Sequence, residues 1–155
     1  MKSQENQKKY KFMKAALKEA EKAAAIDEVP VGAVVVYQDK IIARAHNLRE
    51  QKQSFYAHAE FLAMMKAAKK IGSWRLEDCD VYVTMEPCPM CAGAMIQSRI
   101  RNLYYGTSDP KAGGIESVVR LLDIPFNHHI DVESGIMATE SKEIIQSFFK
   151  KLRQK

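Results

Sequence analysis

The sequence predicts an α/β protein in which helices cover both faces of a central mixed sheet of about five strands, giving three layers in one domain over residues 1–155. Two observations carry this prediction. Segments with apolar residues at helical spacing interleave with short β-branched or alternating segments along the chain. The length of 155 residues suits one domain, and a hydrophobic fraction of 46% is enough for one ordinary core.

The first predicted elements are a helix and a hairpin. Residues 10–25 place apolar side chains three and four positions apart, with lysines and glutamates between them, as on a helix with one buried face. Residues 31–37 are rich in valine and predict a strand. Residues 38–40 predict a turn, and residues 41–45 predict the returning strand.

A helix, a strand and another helix are predicted next. Residues 57–70 again have helical spacing, and Gly72 is expected to end this helix because glycine adopts the left-handed conformation common at that point. Residues 80–85 alternate as a strand does. Residues 88–98 predict a helix, and Pro89 suits its first turn because the missing N–H would be unpaired there.

The last third of the chain predicts shorter elements before a closing helix. Residues 101–105 predict a strand and residues 109–114 a loop. A short helix is expected over residues 115–122 and a short edge strand over residues 130–133. Residues 141–153 predict an amphipathic helix.

The charge distribution leaves two interpretations open. The net charge is +5, and the excess of lysine and arginine lies at the two ends, as in a solvated surface or in a rim that binds a polyanion such as nucleic acid. Residues 87–98 form the longest uncharged run, well short of the roughly 20 residues that cross a bilayer. Residues 1–12 are polar, unlike a secretory signal. The expectation is a cytoplasmic protein that does not enter a membrane.

The cysteines indicate a metal or redox site. Three cysteines cannot all pair, and in a reducing compartment a close pair is typical of such a site. Cys88 and Cys91 lie three positions apart at a predicted helix start, where the helix dipole favours thiolates. Together with His58 they offer zinc two sulfurs and one imidazole nitrogen. Three protein ligands leave a position for water, which is the catalytic arrangement.

The sequence leaves open whether a fourth residue binds the metal. Cys79 precedes the strand that Cys88 follows, so roughly 20 Å of extended chain separates them, and a core position is expected for Cys79. Spacing does not exclude His46, His128 or His129, although each is otherwise an ordinary loop histidine.

Glu60 is the candidate for proton transfer. Hydrolysis by a zinc-activated water needs a carboxylate that takes a proton and passes it to a leaving nitrogen. On a regular helix, residues two apart point about 200° away from each other. His58 and Glu60 are therefore expected in the first turn, with the Glu60 side chain folded back. The alternative for Glu60 is an exposed carboxylate favoured by the helix dipole.

The segments His58-Ala59-Glu60 and Pro87-Cys88-Pro89-Met90-Cys91 together resemble the signature of the zinc-dependent deaminases of the cytidine/deoxycytidylate deaminase superfamily. Within that superfamily the sequence is most similar to the bacterial tRNA-specific adenosine deaminases, which convert the wobble adenosine of an anticodon to inosine. The other segments that carry this resemblance are residues 28–34, 46–47, 82–88, 91–96, 98–100, 109–111, 126–128 and 148–149.

The resemblance implies a cytidine-deaminase-like fold and one Zn²⁺ per subunit, held by His58, Cys88 and Cys91. It implies that zinc-bound hydroxide attacks C6 of a flipped-out adenine while Glu60 carries the proton to the departing ammonia. The implied substrate is a tRNA, bound through its anticodon stem-loop. The family also implies a homodimer, and methionines on the two site helices could supply an adaptable apolar contact or simply pack the core. These methionines are Met64, Met65, Met90 and Met95.

The resemblance also implies substrate-binding residues. Asn47 would hydrogen-bond the base, and Val29 and Pro30 would line its pocket. The residues expected near the anticodon loop are Asp109, Lys111, Asn127 and Phe149. The sequence departs from the family pattern at Phe55-Tyr56, where Pro-Thr is usual, and in residues 113–117. Both departures border the region where RNA is expected.

Three other functions fit parts of the pattern. A thiol–disulfide oxidoreductase would use Cys88-Pro89-Met90-Cys91 as its redox pair, but His58-Ala59-Glu60 would then have no role. An RNA-binding module with a structural zinc would not need Glu60. A deaminase of a free base or nucleoside, such as guanine or cytosine, would keep the whole signature but gain little from the basic ends.

Overall fold

The computed structural model describes residues 2–154, so the first and last residues of the predicted domain lie outside it. The elements are α1 (Lys2–Ala25), β1 (Gly32–Tyr37), β2 (Lys40–His46), α2 (Arg49–Lys52), α3 (Ala59–Ile71), β3 (Cys79–Met85), α4 (Pro89–Ser98), β4 (Asn102–Thr107), a 3₁₀ turn (Leu121–Asp123), β5 (Asp131–Glu133) and α5 (Ala138–Arg153). Within this range, no helix is long and apolar enough to cross a membrane.

The strands form one mixed sheet in the order β2-β1-β3-β4-β5. Strand β1 runs antiparallel to both β2 and β3, whereas β3, β4 and β5 run parallel to one another. The parallel pairs need crossover connections, and α4 supplies the one between β3 and β4. The predicted five-stranded mixed sheet is confirmed.

The two faces of the sheet are covered by different helices. On β1 and β3, Val35, Val81 and Val83 pack in one core with α3 and α4. The alternate positions, such as Val34 and Tyr82, pack in a second core with α1. Helix α5 lies beside α1 and packs on β4. Because side chains alternate between the faces of a strand, this arrangement gives the predicted three layers.

Most predicted elements are present with small shifts at their ends. The hairpin turn places Gln38 and Asp39 at positive φ, and Gly72 ends α3 at φ 80°. Pro89 lies in the first turn of α4, as predicted. Helix α1 begins about two turns before residue 10, because residues 2–9 are mostly good helix formers that have no apolar period to reveal them.

The helix predicted over residues 115–122 is wrong. The backbone N–H groups of Ile115, Glu116 and Ser117 donate instead to the carboxylate of Glu86, at 2.9–3.1 Å. These three N–H groups therefore bind the Glu86 side chain instead of the backbone carbonyls of a helix. Only the short 3₁₀ turn follows them.

Both edges of the sheet carry charged side chains. On β2, Lys40 and Arg44 are exposed, and Lys66 of α3 donates its ammonium to the backbone oxygen of Arg44 at 2.8 Å. At the other edge, β5 has only three residues, and Asp131 and Glu133 are both exposed. Neither edge therefore offers a long uncharged strand.

Candidate functional site

His58, Cys88 and Cys91 come together where two helices begin. His58 and Cys88 are the N-cap residues of α3 and α4, both with extended backbones, and Cys91 lies in the first turn of α4. Their ligand atoms all lie within 4.8 Å of one another. His58 Nδ1 is 3.6 Å from Cys88 Sγ and 3.5 Å from Cys91 Sγ.

These separations fit a tetrahedral zinc ion. Zinc bonds of about 2.3 Å to sulfur and 2.0–2.1 Å to nitrogen at tetrahedral angles place the two ligand atoms about 3.6 Å apart. Two thiols and one imidazole are also a donor set that zinc prefers. The chain thus has the geometry and the chemistry for a site with three protein ligands.

The other candidate ligands lie elsewhere among the described residues. Cys79 is buried in the core with α3 and α4, as expected. His46 contacts Glu19 at 3.0 Å, and His128 contacts the backbone oxygen of Ile100 at 2.7 Å. His129 contacts Asp131. The candidate fourth ligands of the sequence do not join the cluster.

Hydrogen bonds within the cluster shift its protonation. The pKa of Cys88 falls to about 4, chiefly because the Cys91 thiol donates a hydrogen bond to its sulfur, with a further bond from His58. The hydrogen bond between the two cysteines raises the pKa of Cys91, because its thiol is the donor. The bond to Cys88 also raises the pKa of His58. Hydrogen bonding among the three side chains therefore favours loss of the Cys88 proton before that of Cys91.

Glu60 lies beside this cluster and is only 4% exposed. Its pKa rises to about 7, because burial disfavours the carboxylate. The expected conflict between positions 58 and 60 does not arise, since His58 has φ −84° and ψ 148° and stands outside the helical turn. An extended residue followed by a helical one can direct both side chains to the same place. The alternative of an exposed carboxylate is excluded.

A cavity of about 220 Å³ opens onto the cluster. Of the residues expected to bind substrate, Val29, Asn47 and Asp109 line it, together with His58, Glu60 and Cys88. Pro30 is buried and is not among the lining residues. Lys111, Asn127 and Phe149 are exposed outside the cavity. Their contacts with RNA stay predictions.

Asn47 also supports the start of α3. Its Oδ1 accepts a hydrogen bond from the backbone N–H of Ala59 at 2.8 Å. The Nδ2 group is then the part of this side chain that can donate to a ligand in the cavity. Asn47 thus connects the hairpin to the segment that contains His58 and Glu60.

Sequence reasoning missed the cavity wall formed by α2. Arg49 and Glu50 of α2 line the cavity. Glu28 holds this helix in place, because its buried carboxylate accepts the N–H groups of Glu50 and Gln51 at 3.2 and 2.7 Å. Glu28 belongs to a segment that carries the family resemblance. Its position directly before the apolar segment of residues 29–36 was the one signal that could have marked it.

Glu86 was missed as well, although it is adjacent to Pro87-Cys88. Its buried carboxylate accepts four backbone N–H groups, from Asp109, Ile115, Glu116 and Ser117, and the Ser117 hydroxyl. Burial alone would raise the pKa of Glu86, but these bonds together hold it below the ordinary value. One carboxylate therefore ties the loop over residues 109–117 to the end of β3.

We expect Glu86→Ala to lower the free energy of unfolding by at least about 2 kcal/mol, because several buried donors lose a charged acceptor. Hydrogen exchange should quicken most at the amides of Ile115, Glu116 and Ser117. Glu77→Ala is a matched control, since Glu77 is exposed and pairs with nearby Arg75. Unchanged exchange at the three amides would contradict this account of the loop.

Comparison with known proteins identifies the family. The model of the MafB19-like deaminase family matches residues 6–153. A tRNA-specific adenosine deaminase of Bacillus subtilis is 49% identical over 145 residues, which are 93% of this chain and 90% of that protein. The same-named protein of Agrobacterium fabrum is 47% identical over 143 residues, covering 92% and 94% of the two chains.

A solved structure agrees with these sequence relatives. It comes from a study of A-to-I editing by tRNA:A34 deaminases at the wobble position of transfer RNA. It superposes with a TM-score of 0.83 and 48% identity, covering 86% of this chain and 97% of that one. The fold, the cluster and the sequence agree, and the chain belongs to the family of tRNA-specific adenosine deaminases.

Proposed function

We propose that this protein hydrolyses the wobble adenosine of a tRNA anticodon to inosine and releases ammonia. The observation that carries the proposal is the cluster of His58, Cys88 and Cys91 beside buried Glu60, at the end of a cavity lined by Asn47. The substrate is inferred from the relatives, whose names and studies specify tRNA and its wobble adenosine.

One zinc ion per subunit is the proposed cofactor, held by His58, Cys88 and Cys91. Bound zinc would lower the pKa of a water molecule towards 7 and so supply a nucleophile at neutral pH. The thiolate already favoured at Cys88 prepares the site, because zinc binding requires both thiols to lose their protons.

Glu60 is the proposed proton carrier. A carboxyl group whose pKa lies near 7 can both accept and donate a proton at neutral pH. Its burial keeps bulk water away from the proton while the leaving amine becomes ammonia. Asn47 holds the base, since its Nδ2 can donate to an acceptor on the purine edge while its Oδ1 fixes α3.

The RNA backbone is proposed to run along the rim of the cavity. Arg49 is an exposed guanidinium at this rim, a group suited to phosphate. Asp109 lines the same opening. Lys111, Asn127 and Phe149 are proposed to contact the anticodon loop or stem outside the cavity. The net charge of +5 favours such a polyanionic substrate.

The deciding experiment is an inosine assay. Zinc-loaded protein is incubated with an anticodon stem-loop carrying a wobble adenosine and, in parallel, with free adenosine, cytosine and guanine. Inosine in the stem-loop alone supports the proposal. Turnover of free adenosine, cytosine or guanine without turnover of the stem-loop would contradict the proposed substrate. No turnover of any of these compounds would favour a non-catalytic RNA-binding protein. Disulfide reductase activity would instead favour a redox pair.

We also propose a homodimer through the outer face of α3 and α4. Phe61, Trp74, Met90 and Ala94 line a shallow apolar groove there. Trp74 is 58% exposed and Met65 on α3 is 49% exposed, which is costly for side chains of this size in a monomer. Just after α4, the Nε of Arg99 is buried without a partner in the described part of the chain. A second copy would cover the apolar groups and could accept this hydrogen bond.

A charge in this face should break the dimer. We expect Met65→Glu to shift sedimentation towards the monomer at micromolar concentration, because a carboxylate in an apolar interface is costly. Val132→Glu is the matched control, since exposed Val132 lies at the far edge of the sheet. Monomeric wild-type protein, or equal effects of the two substitutions, would contradict the proposed interface.

We further propose a domain organisation and a cellular location for the enzyme. Residues 1–155 are proposed to act as a single deaminase domain, and the family model covers nearly all of them. The cytoplasm is the proposed location, because Cys88 and Cys91 are free thiols that a reducing compartment would preserve.

A further inference from the structure

Phe55 occupies the tip of a tight turn just before the candidate metal site. Residues 54–57 form this turn, closed by a hydrogen bond from Ala57 N–H to the Ser54 carbonyl at 3.2 Å. Phe55 is 82% exposed, more than any other large hydrophobic residue described. Phe55 therefore does not contribute to the core, and its aromatic ring is available for contact with a ligand.

The turn holds Phe55 firmly. The buried Ala57 carbonyl accepts the Leu48 N–H at 3.0 Å, and the His58 N–H donates to the Tyr56 carbonyl at 2.7 Å. The Tyr56 ring packs against the rings of both Phe55 and Phe61, with centroids 5.8 and 5.6 Å away. The Phe55 and Tyr56 rings are perpendicular, at 89°, and the high exposure of Phe55 shows that most of its side-chain surface stays free.

The position of this ring suits a nucleobase. His58 follows Phe55 by three positions, so their Cα atoms are at most about 11 Å apart. When an adenosine is flipped into the cavity, its neighbours in the loop lose a stacking partner. An exposed aromatic ring next to the site can replace that partner for any base, because every base has a π-face.

The charges around the turn permit RNA to approach. Residues 51–58 contain no acidic side chain, and on α2 the exposed charged side chains are Arg49, Lys52 and the single carboxylate of Glu50. A single strand that left the cavity past Arg49 would therefore meet more positive than negative charge on the way to the Phe55 turn. A second protein copy is the weaker occupant, because the groove of the proposed dimer face reaches Phe61, whose ring contacts Tyr56, but is not lined by Phe55.

We propose that Phe55, braced by Tyr56, is a stacking platform for the nucleobase next to the flipped adenosine. This inference rests on the proposed function and assigns Phe55 to substrate affinity and loop preference rather than to chemistry. The platform would add an aromatic contact with the anticodon loop to the contacts made inside the cavity.

The test compares Phe55→Ala with Phe55→Tyr, which keeps an aromatic ring. For an anticodon stem-loop, Phe55→Ala should raise KM about ten-fold with kcat unchanged, and Phe55→Tyr should stay near wild type. Tyr10→Ala is the control, since Tyr10 is an exposed aromatic residue on α1. An unchanged KM for Phe55→Ala would overturn the platform.

A binding experiment separates stacking from other roles. Stem-loops carrying 2-aminopurine on the 5′ or the 3′ side of the adenosine are bound to protein with the Glu60→Gln substitution, so that turnover is slow compared with the binding measurement. Quenching at one position, lost with Phe55→Ala, supports the platform. Equal fluorescence with and without Phe55, or a shift towards monomer in sedimentation of Phe55→Ala, would overturn it. Absence of inosine formation by the wild-type protein would overturn the proposed function, while quenching would still report on Phe55.

Discussion

Glu60→Gln is expected to lower kcat for wobble-adenosine deamination by about 10²- to 10⁴-fold, the range typical of a lost general acid–base group. Glutamine keeps the size and the burial of the side chain but cannot carry a proton. Zinc content and thermal stability should stay close to wild type, because Glu60 is not among the three clustered ligands. The measurement is single-turnover inosine formation together with metal analysis of the same preparation.

The control for this prediction is Glu21→Gln, which changes an exposed carboxylate on α1. Its kcat should match that of the wild type. If Glu60→Gln kept full turnover, proton transfer would have to use another group. If it lost zinc together with activity, Glu60 would act in metal binding rather than in proton transfer.

Cys91→Ser is expected to abolish inosine formation and to reduce bound zinc well below one ion per chain. Cys91 is fully buried, and its sulfur is one of only three clustered ligand atoms in the described chain, so a hydroxyl cannot replace it. Chelation of wild-type protein should have the same effect on activity, and added zinc should restore it. Removal of zinc should also lower Tm, since a ligand bound only by the folded state stabilises that state.

Cys79→Ala is the matched control, because Cys79 is buried but packs in the core away from the cluster. It should keep one zinc per chain and full kcat at a modest cost in stability of about 1 kcal/mol. Equal zinc loss from Cys79→Ala and Cys91→Ser would mean that the cluster of His58, Cys88 and Cys91 is not the metal site.

Local sequence was sufficient for the two segments that hold the cluster residues and for most of the elements around them. Cys88 and Cys91 lie three residues apart on one helix, and His58 begins the other, so spacing and helix starts predicted both segments. The meeting of the two segments depends on how α3 and α4 pack on the sheet. That information came from the family resemblance rather than from periodicity.

Glu86 shows why other parts could not be predicted. Its hydrogen-bond donors lie 23–31 residues away, and nothing near position 86 or in the loop indicates such distant partners. The apolar spacing of residues 115–122 favoured a helix, but a buried carboxylate with several donors outweighed this weak local preference. The role of Glu28 and the α2 wall of the cavity could not be predicted for the same reason. A short helix that is held by a distant carboxylate has no apolar periodicity that would indicate it.

The charged edges of the sheet have a consequence for aggregation. An open sheet exposes unpaired backbone groups that can recruit strands from other molecules. Here the lysine and arginine on β2, the Lys66 ammonium on the Arg44 carbonyl, and the short acidic β5 oppose such recruitment at both ends. Edge-to-edge growth into fibrils is thereby discouraged, even at the high concentrations that accompany overexpression. Self-association is left to the helical faces, where it can stop at a closed, finite assembly.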